Sequence, residues 1–310
     1  MQSISDQKAT AAFGQRIIRQ IIRAEHLGMC FGVRDAIALA RQHAAVGPVT
    51  ILGQLVHNAQ VVSSLEQEGV RFEETPAAIT TPTVLITAHG ASQQRIEAVR
   101  ATGRNVVETT CPLVLAAHNA LKKLVDAGFH PVVIGQRKHV EVLGMTEDLA
   151  DCDVVLLEEE IAALTPRARF GVVSQTTQPV ERVRHLVACL RQRFPEAEVL
   201  FRDTVCQPTK LRQNSAEALA RRCDLVIVVG GANSNNTREL VQTCLRFCTR
   251  VHHVQTAPDL KIDWFRGGDV VGITAGTSTP DAQIDSVENA LKALQSLLSP
   301  STASPSSVHV

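Results

Sequence analysis

The 310-residue sequence contains no tyrosine, and aromatic residues make up only 3% of it. A nucleic-acid surface that stacks bases on aromatic side chains is therefore not expected. An excess of one charge is also missing, because 31 Lys and Arg residues balance 31 Asp and Glu residues, so no basic field favours nucleic acid or an anionic membrane. The sequence has no Walker loop and no Gly-x-Gly-x-x-Gly motif, so neither an ATP site nor a dinucleotide site is supported.

Long hydrophobic runs and targeting signals are missing as well. No apolar run reaches the roughly 18 residues that a membrane helix needs, and the N-terminus has no apolar core of the signal-peptide type. We therefore expect a cytoplasmic protein. Residues 1–19 are interpreted as an N-terminal extension without an assigned role, and residues 299–310, rich in Ser and Pro, as a disordered tail.

Eight cysteines are present, and without a secretion signal they do not predict a disulfide framework. Five of them sit in apolar or helical surroundings and are interpreted as small buried or half-buried residues. These five are Cys152, Cys189, Cys223, Cys244 and Cys248. The other three occupy equivalent positions in a repeat.

The repeat begins at Cys30, Cys111 and Cys206. Each of these cysteines is followed by an amphipathic helical pattern, a short β-branched run and a glycine 23 or 24 residues later. Each unit then continues to a second strand that ends in a small polar turn, and to a strand that leads into the next cysteine. A fixed period of this kind is typical of repeated supersecondary units.

The strands of each unit are short, continuous apolar runs separated by helical patterns, which favours parallel sheets covered on both faces. The leading strand, residues 20–30, has no unit before it and is expected to close the third unit. The sequence thus predicts an α/β fold of three pseudo-repeated units with small parallel sheets, arranged cyclically around a central cluster. The first unit would span residues 20–111, the second 112–205 and the third 206–298.

In parallel sheets, ligands gather beyond the carboxyl ends of the strands, where the three repeated cysteines lie. Three thiolates suit a [4Fe–4S] cluster in which one iron has no protein sulfur and keeps an open coordination position. Zinc held by three cysteines is an alternative, and three ordinary core cysteines are another.

Polar turns at six strand ends would supply a pocket beside the cysteines. Their side chains and backbone N–H groups can hold a phosphate group. The candidate residues in these turns are His57, His89, His139, Glu141, Thr176, Thr177, Ser234, Asn235, Asn236 and Ser278. Arg and Lys are sparse there, so we expect the phosphate to be bound by many donors and not by a strong charge. Glu141 is the carboxylate of these turns, and we expect a raised pKa and a proton-donating role for it.

The motifs GMCFGV, LVHN, TAHGAS, TTCPLV, HVEV, SQTT, NSNNT and TAGTSTPD occur in the order seen in 4-hydroxy-3-methylbut-2-enyl diphosphate reductases. The sequence resembles this family from about residue 24 to about residue 298. The resemblance implies a [4Fe–4S] cluster on Cys30, Cys111 and Cys206. It also implies that two electrons and protons remove the substrate hydroxyl as water. Isopentenyl and dimethylallyl diphosphate would be formed, in the last step of the methylerythritol phosphate route.

The resemblance further implies roles for individual residues. Glu141 matches the proton donor, and the residues that match substrate ligands are His57, His89, His139, Thr176, Ser234, Asn235, Asn236 and Ser278. Ferredoxin or flavodoxin would supply the electrons.

Two positions depart from the family pattern. Val140 stands where the family often has proline, so we expect Glu141 to be held less rigidly. Asn235 stands where the family has serine; it keeps hydrogen-bonding capacity, but its substrate contact is the one most affected. A dehydratase-type enzyme resembling quinolinate synthase, and a non-catalytic metal-binding or redox-sensing module, remain as alternative functions.

Overall fold

The structure is a computed structural model that describes residues 17–296. The predicted tail and most of the predicted N-terminal extension lie outside these residues. Among the helices of residues 17–296, none is both long and apolar enough to cross a membrane.

The strands of the described residues form three four-stranded sheets, and the paired strands in each sheet are parallel. They are β1 (Ile18–Arg23), β2 (Val49–Leu52), β3 (Arg71–Glu73), β4 (Thr83–Ile86), β5 (Asn105–Glu108), β6 (His130–Ile134), β7 (Asp153–Val155), β8 (Arg169–Ser174), β9 (Glu198–Phe201), β10 (Leu225–Val229), β11 (Val251–Val254) and β12 (Asp269–Ala275). The sheet orders are β3-β2-β4-β5, β7-β6-β8-β9 and β11-β10-β12-β1. All three sheets therefore have the same topology, which confirms the predicted α/β fold of three repeated units.

Helices alternate with the strands. They are α1 (Phe31–Ala44), α2 (Ala59–Gln67), α3 (Gln93–Arg100), α4 (Pro112–Asp126), α5 (Val140–Thr146), α6 (Glu158–Ala162), α7 (Val180–Arg193), α8 (Gln207–Ala220), α9 (Asn235–Leu245) and α10 (Asp281–Gln295). They cover both faces of each sheet, so each sheet packs against one apolar cluster on either face.

Strand β10 shows why the central strands read as continuous apolar runs. Leu225, Ile227 and Val229 pack into one cluster, whereas Val226 and Val228 pack into the cluster on the opposite face. Because successive side chains of a strand point to opposite faces, a strand with helices on both sides has no solvent-facing position for a polar residue.

The first strand of the chain belongs to the last sheet, as predicted. Strand β1 pairs with β12 in parallel, and the Ala24 N–H continues the pairing by donating to the Ile273 carbonyl over 2.8 Å. Arg23 binds the carboxylates of Asp285 and Glu288 on α10. Strand β1 begins at Ile18, so the last two residues of the predicted extension lie within it.

We predict that Ile18→Ala destabilises the third sheet selectively. Ile18 has no solvent exposure and packs in the core between the third sheet and α10. Truncation of a buried isoleucine costs about 2–5 kcal/mol in free energy of unfolding. Chemical denaturation measures this loss, and hydrogen exchange should accelerate in β10 and β12 more than in β4 or β8.

The matched control is Ile262→Ala, because the Ile262 side chain is 54% exposed. A change of less than about 0.5 kcal/mol is expected there. Equal effects of the two substitutions would contradict the assignment of β1 to this core.

Candidate active site

The three repeated cysteines occupy equivalent positions in the structure. Cys30, Cys111 and Cys206 directly precede α1, α4 and α8 as the N-cap residues of these helices. Each cysteine N–H donates over 3.0 Å to a carbonyl oxygen in the turn after a sheet strand; the acceptors are Thr277 after β12, Ala88 after β4 and Thr176 after β8. Helix N-termini favour negative charge, so the three thiols share a position from which they can bind a positively charged group.

Close packing brings these cysteines towards one centre. A Cβ atom on Gly32 would lie 2.4 Å from the Cys111 sulfur, so the first turn of α1 approaches Cys111 in a way that only glycine permits. Burial raises the pKa of Cys111 and raises the pKa of Cys206 to about 11, and the nearby charges of Cys30 and Glu141 add to both shifts. Deprotonation of these thiols therefore needs a positively charged partner such as a metal group.

The spacing of the sulfur atoms tests one kind of metal centre. The Sγ atoms of Cys30, Cys111 and Cys206 do not all lie within 4.8 Å of one another. A tetrahedral zinc ion with Zn–S bonds of about 2.3 Å would require sulfur separations of about 3.8 Å. The three thiols are therefore not arranged as a preformed tetrahedral zinc site.

Three predicted histidines form a second cluster. Ring centroids are 4.7 Å apart for His57 and His89, 5.1 Å for His57 and His139, and 5.4 Å for His89 and His139. Burial lowers the pKa of all three rings, that of His139 to about 3, and the proximity of the rings to one another lowers those of His89 and His139 further. The rings are therefore neutral in the protein alone.

The hydrogen bonds of these rings show which ring nitrogens are left free to bond to a ligand. The Glu141 N–H donates to His139 Nδ1 over 3.2 Å, so the proton of the neutral His139 ring is on Nε2. The Nε2 atoms of His57 and His89 are buried, and among the described residues they have no hydrogen-bond partner. Such buried polar atoms are costly unless a ligand bonds to them.

The third unit contributes the start of α9 and the turn after β12. Ser234 Oγ accepts from the Thr237 N–H over 3.3 Å, which caps α9, and Ser278 Oγ donates to the His57 carbonyl over 3.3 Å. Asn236 Oδ1 accepts from the Thr277 N–H over 3.0 Å, while its buried Nδ2 has no partner within residues 17–296. Asn236 thus offers a free donor. His57 Nδ1 lies 3.4 Å from Gln54 Oε1, which can only accept, so Nε2 of the neutral His57 ring is an acceptor and becomes a donor when the ring is protonated.

Glu141 is 1% exposed and is fixed by one residue of the opposite strand end. The Thr176 N–H donates to Oε1 over 2.5 Å, and Thr176 Oγ1 donates to Oε2 over 3.0 Å. Burial raises the pKa of Glu141 to about 7, against the opposing effect of the Thr176 hydrogen bonds. These bonds hold the carboxyl group, while the expectation that Val140 in place of proline leaves Glu141 held less rigidly stays a prediction.

The Asn235 side chain bonds to two side chains of the second unit. Its Oδ1 accepts from Gln136 Nε2 over 2.7 Å, and its Nδ2 donates to Thr177 Oγ1 over 3.1 Å. The side chain thus joins the third unit to the second. A substrate contact by Asn235 would have to replace one of these bonds.

Two cationic residues beside the histidines were not predicted from the sequence. Arg238 and Lys138 line a cavity of about 330 Å³ together with His57 and His139. The charge of Arg238 adds to the burial that lowers the pKa of both histidines. Two cationic side chains thus lie beside the predicted polar turns, and the expectation that phosphate is bound by many donors and not by a strong charge stays a prediction. The signal was available, because Arg238 lies four residues after the helix cap Ser234 and thus on the same side of α9.

Fold and site together define a three-unit α/β protein with a cysteine-lined centre and a polar pocket beside it. Residues 21–292 match the family model described as LytB protein, and the chain belongs to this family.

Individual relatives agree with this assignment. A 4-hydroxy-3-methylbut-2-enyl diphosphate reductase from Citrifermentans bemidjiense is 39% identical over 278 residues, which cover 89% of this chain and 98% of the relative. The solved E-1-hydroxy-2-methyl-but-2-enyl-4-diphosphate reductase from Plasmodium falciparum has a TM-score of 0.82 at 26% identity, covering 88% of both chains. A second solved structure, described as the terminal enzyme of the non-mevalonate pathway, has a TM-score of 0.65 at 37% identity, covering 88% of this chain and 99% of that one.

We predict that Glu141 makes the stability of the metal-free protein pH-dependent. Glu141 binds its proton more tightly in the folded state, where its pKa is about 7, than in the unfolded state, where it is about 4.3. The folded state therefore loses stability as pH rises between these values, by an amount on the order of 3 kcal/mol. The glutamine side chain of Glu141→Gln cannot ionise, so this variant should not lose stability for this reason as pH rises. Chemical denaturation of both proteins from pH 4.5 to pH 8 measures how their free energies of unfolding change with pH. If the two free energies changed in parallel, the raised pKa of Glu141 would be contradicted.

We also predict that Arg238→Gln raises the pKa of His57 and His139, because the substitution removes a nearby positive charge. The pKa of His89, to which Arg238 does not contribute, should stay unchanged. Titration of ¹³C-labelled histidines by NMR measures the shift for His57. Arg246→Gln is the control, because Arg246 pairs with Glu181 away from the histidines. Equal shifts in both variants would contradict a local effect of Arg238.

Proposed function

We propose that this chain reduces (E)-4-hydroxy-3-methylbut-2-enyl diphosphate to isopentenyl diphosphate and dimethylallyl diphosphate. Its curated relatives are named for this activity. The observation that carries the proposal is the buried Glu141–Thr176 pair. Glu141 lies close enough to Cys111 and Cys206 for its charge to raise the pKa of both thiols. A proton-carrying carboxyl group therefore lies beside three thiols suited to a metal group.

The cysteines would hold the redox group. A [4Fe–4S] cluster on Cys30, Cys111 and Cys206 supplies electrons and, at the iron without a protein sulfur, an open coordination position. The equivalent position of each thiol at a helix N-terminus supports this ligand set.

The polar pocket would bind the diphosphate group. The free Nδ2 of Asn236 can point a donor at its oxygens, and the free Nε2 atoms of His57 and His89 do so when they carry a proton. Arg238 adds a full positive charge at the adjoining cavity. An anion between the rings favours their charged form and so opposes the effect of burial on their pKa.

Glu141 would supply a proton. With a pKa of about 7, it carries a proton on a large fraction of molecules at neutral pH and can also release it. The N–H and hydroxyl groups of Thr176 then stabilise the carboxylate that remains. Overall, two electrons and two protons remove the hydroxyl oxygen as water and leave one new C–H bond. A ferredoxin or flavodoxin would deliver the electrons.

The test is turnover of the hydroxylated allylic diphosphate by anaerobically purified protein with a reduced viologen dye. Wild-type protein should be brown and active. Glu141→Gln should keep its iron and its KM within a few-fold, while kcat falls by about 10²- to 10⁴-fold because a positioned proton donor is lost. Cys206→Ser should lose iron and activity together.

Cys223→Ser is the matched control, because Cys223 is a half-buried cysteine in the core of the third sheet. It should keep both iron and turnover. Near-normal turnover of Glu141→Gln would contradict the proton-donor role. Inactive wild-type protein with a full complement of iron would contradict the reaction and favour the quinolinate-synthase-like alternative or a redox-sensing module.

A further inference from the structure

A group of metal-binding side chains lies outside the central site, on the second unit. Glu158 is the first residue of α6, and His185 and Cys189 lie on α7. Because His185 and Cys189 are four residues apart, they share one face of the helix. The side-chain ligand atoms of the three residues all lie within 4.8 Å of one another, and no other set of three or more His, Cys, Asp or Glu residues in the described part of the chain meets this distance.

The distances within the group are close to those around a tetrahedral metal ion. Cys189 Sγ lies 3.6 Å from His185 Nε2, and Glu158 Oε1 lies 2.6 Å from the same nitrogen. Zinc bonds of about 2.3 Å to sulfur and about 2.05 Å to nitrogen or oxygen require an S–N separation of about 3.6 Å and an O–N separation of about 3.3 Å. The sulfur is already in place, and the exposed carboxylate has to move by less than 1 Å, or roughly the difference between these O–N distances.

We propose that Glu158, His185 and Cys189 form a surface zinc site, with water as the fourth ligand. Thiolate, imidazole and carboxylate are the side-chain ligands that zinc prefers, and the three come from two helices that pack against each other. The ion would therefore clamp α6 to α7, the helix that follows the turn carrying Thr176 and Thr177. Zinc bound here stabilises the folded protein by mass action.

Other interpretations account for less of the arrangement. A Glu158–His185 ion pair explains the 2.6 Å contact, and the four-residue spacing on α7 brings the Cys189 sulfur near the same nitrogen, but only a shared metal ion uses all three ligand atoms together. A reactive thiol is disfavoured, because burial and the charge of Glu158 raise the pKa of Cys189 instead of lowering it.

The experiment counts zinc and iron in the same anaerobic, cluster-loaded protein. Wild-type protein is equilibrated with Zn²⁺, freed of unbound metal by dialysis, and analysed by inductively coupled plasma mass spectrometry. It should hold one zinc equivalent more than Cys189→Ser or His185→Gln, with equal iron in all three. Zinc X-ray absorption should show one sulfur ligand at about 2.3 Å, with nitrogen and oxygen completing the shell.

His26→Gln is the matched control, because His26 is also an exposed histidine near a carboxylate, Glu25, at 3.9 Å. It should keep the extra zinc. Zinc should raise the melting temperature of wild type and His26→Gln but not that of Cys189→Ser, while turnover is the same in all of them. Equal zinc in wild type and Cys189→Ser, or zinc uptake matched by loss of iron, would overturn the proposal.

Discussion

The structure depends on one backbone hydrogen bond that occurs three times. Each repeated cysteine donates its N–H to a carbonyl oxygen just beyond the carboxyl end of a sheet strand. This bond fixes where the following helix starts relative to the sheet edge, and therefore where the thiol and the helix N-terminus point. Because the same bond forms in each unit, three thiols come to one centre although they lie far apart in the chain.

The units meet mainly through polar contacts around that centre. Asn58 bonds to Gln283 between the first and third units, and Ser92 bonds to Glu147 between the first and second. Asn235 joins the third unit to the second. Each sheet has its own apolar clusters, so the pocket lies where the cores end and where polar side chains can stay bonded to one another or turn to a ligand.

The repeat in the sequence was sufficient to predict the fold, including the closure of the third sheet by β1. Within a unit, strand order and strand-end position follow from a local pattern of apolar runs and turns. Contacts between units were harder to predict. The partners of Asn235 lie on the second unit, and no local pattern encodes them. The spacing of Arg238 from Ser234 places it on the pocket side of α9, but its closeness to His57 depends on how the third unit meets the first. The hydrogen bonds that hold the Glu141 carboxyl group were not predicted either, because their donor, Thr176, lies 35 positions later in the chain.

The membership of β1 in the last sheet has a consequence for synthesis on the ribosome. Among the strands of residues 17–296, β1 emerges first, yet its neighbour β12 emerges last. The first and second sheets can form from contiguous stretches of chain, whereas the third must close a loop of some 250 residues between β1 and β12. The Cys30 N–H finds its acceptor, Thr277, only at that closure. Completion of the three-thiol centre thus requires that the chain has been made past β12, so a metal group that needs all three thiols in place has to await that part of the chain.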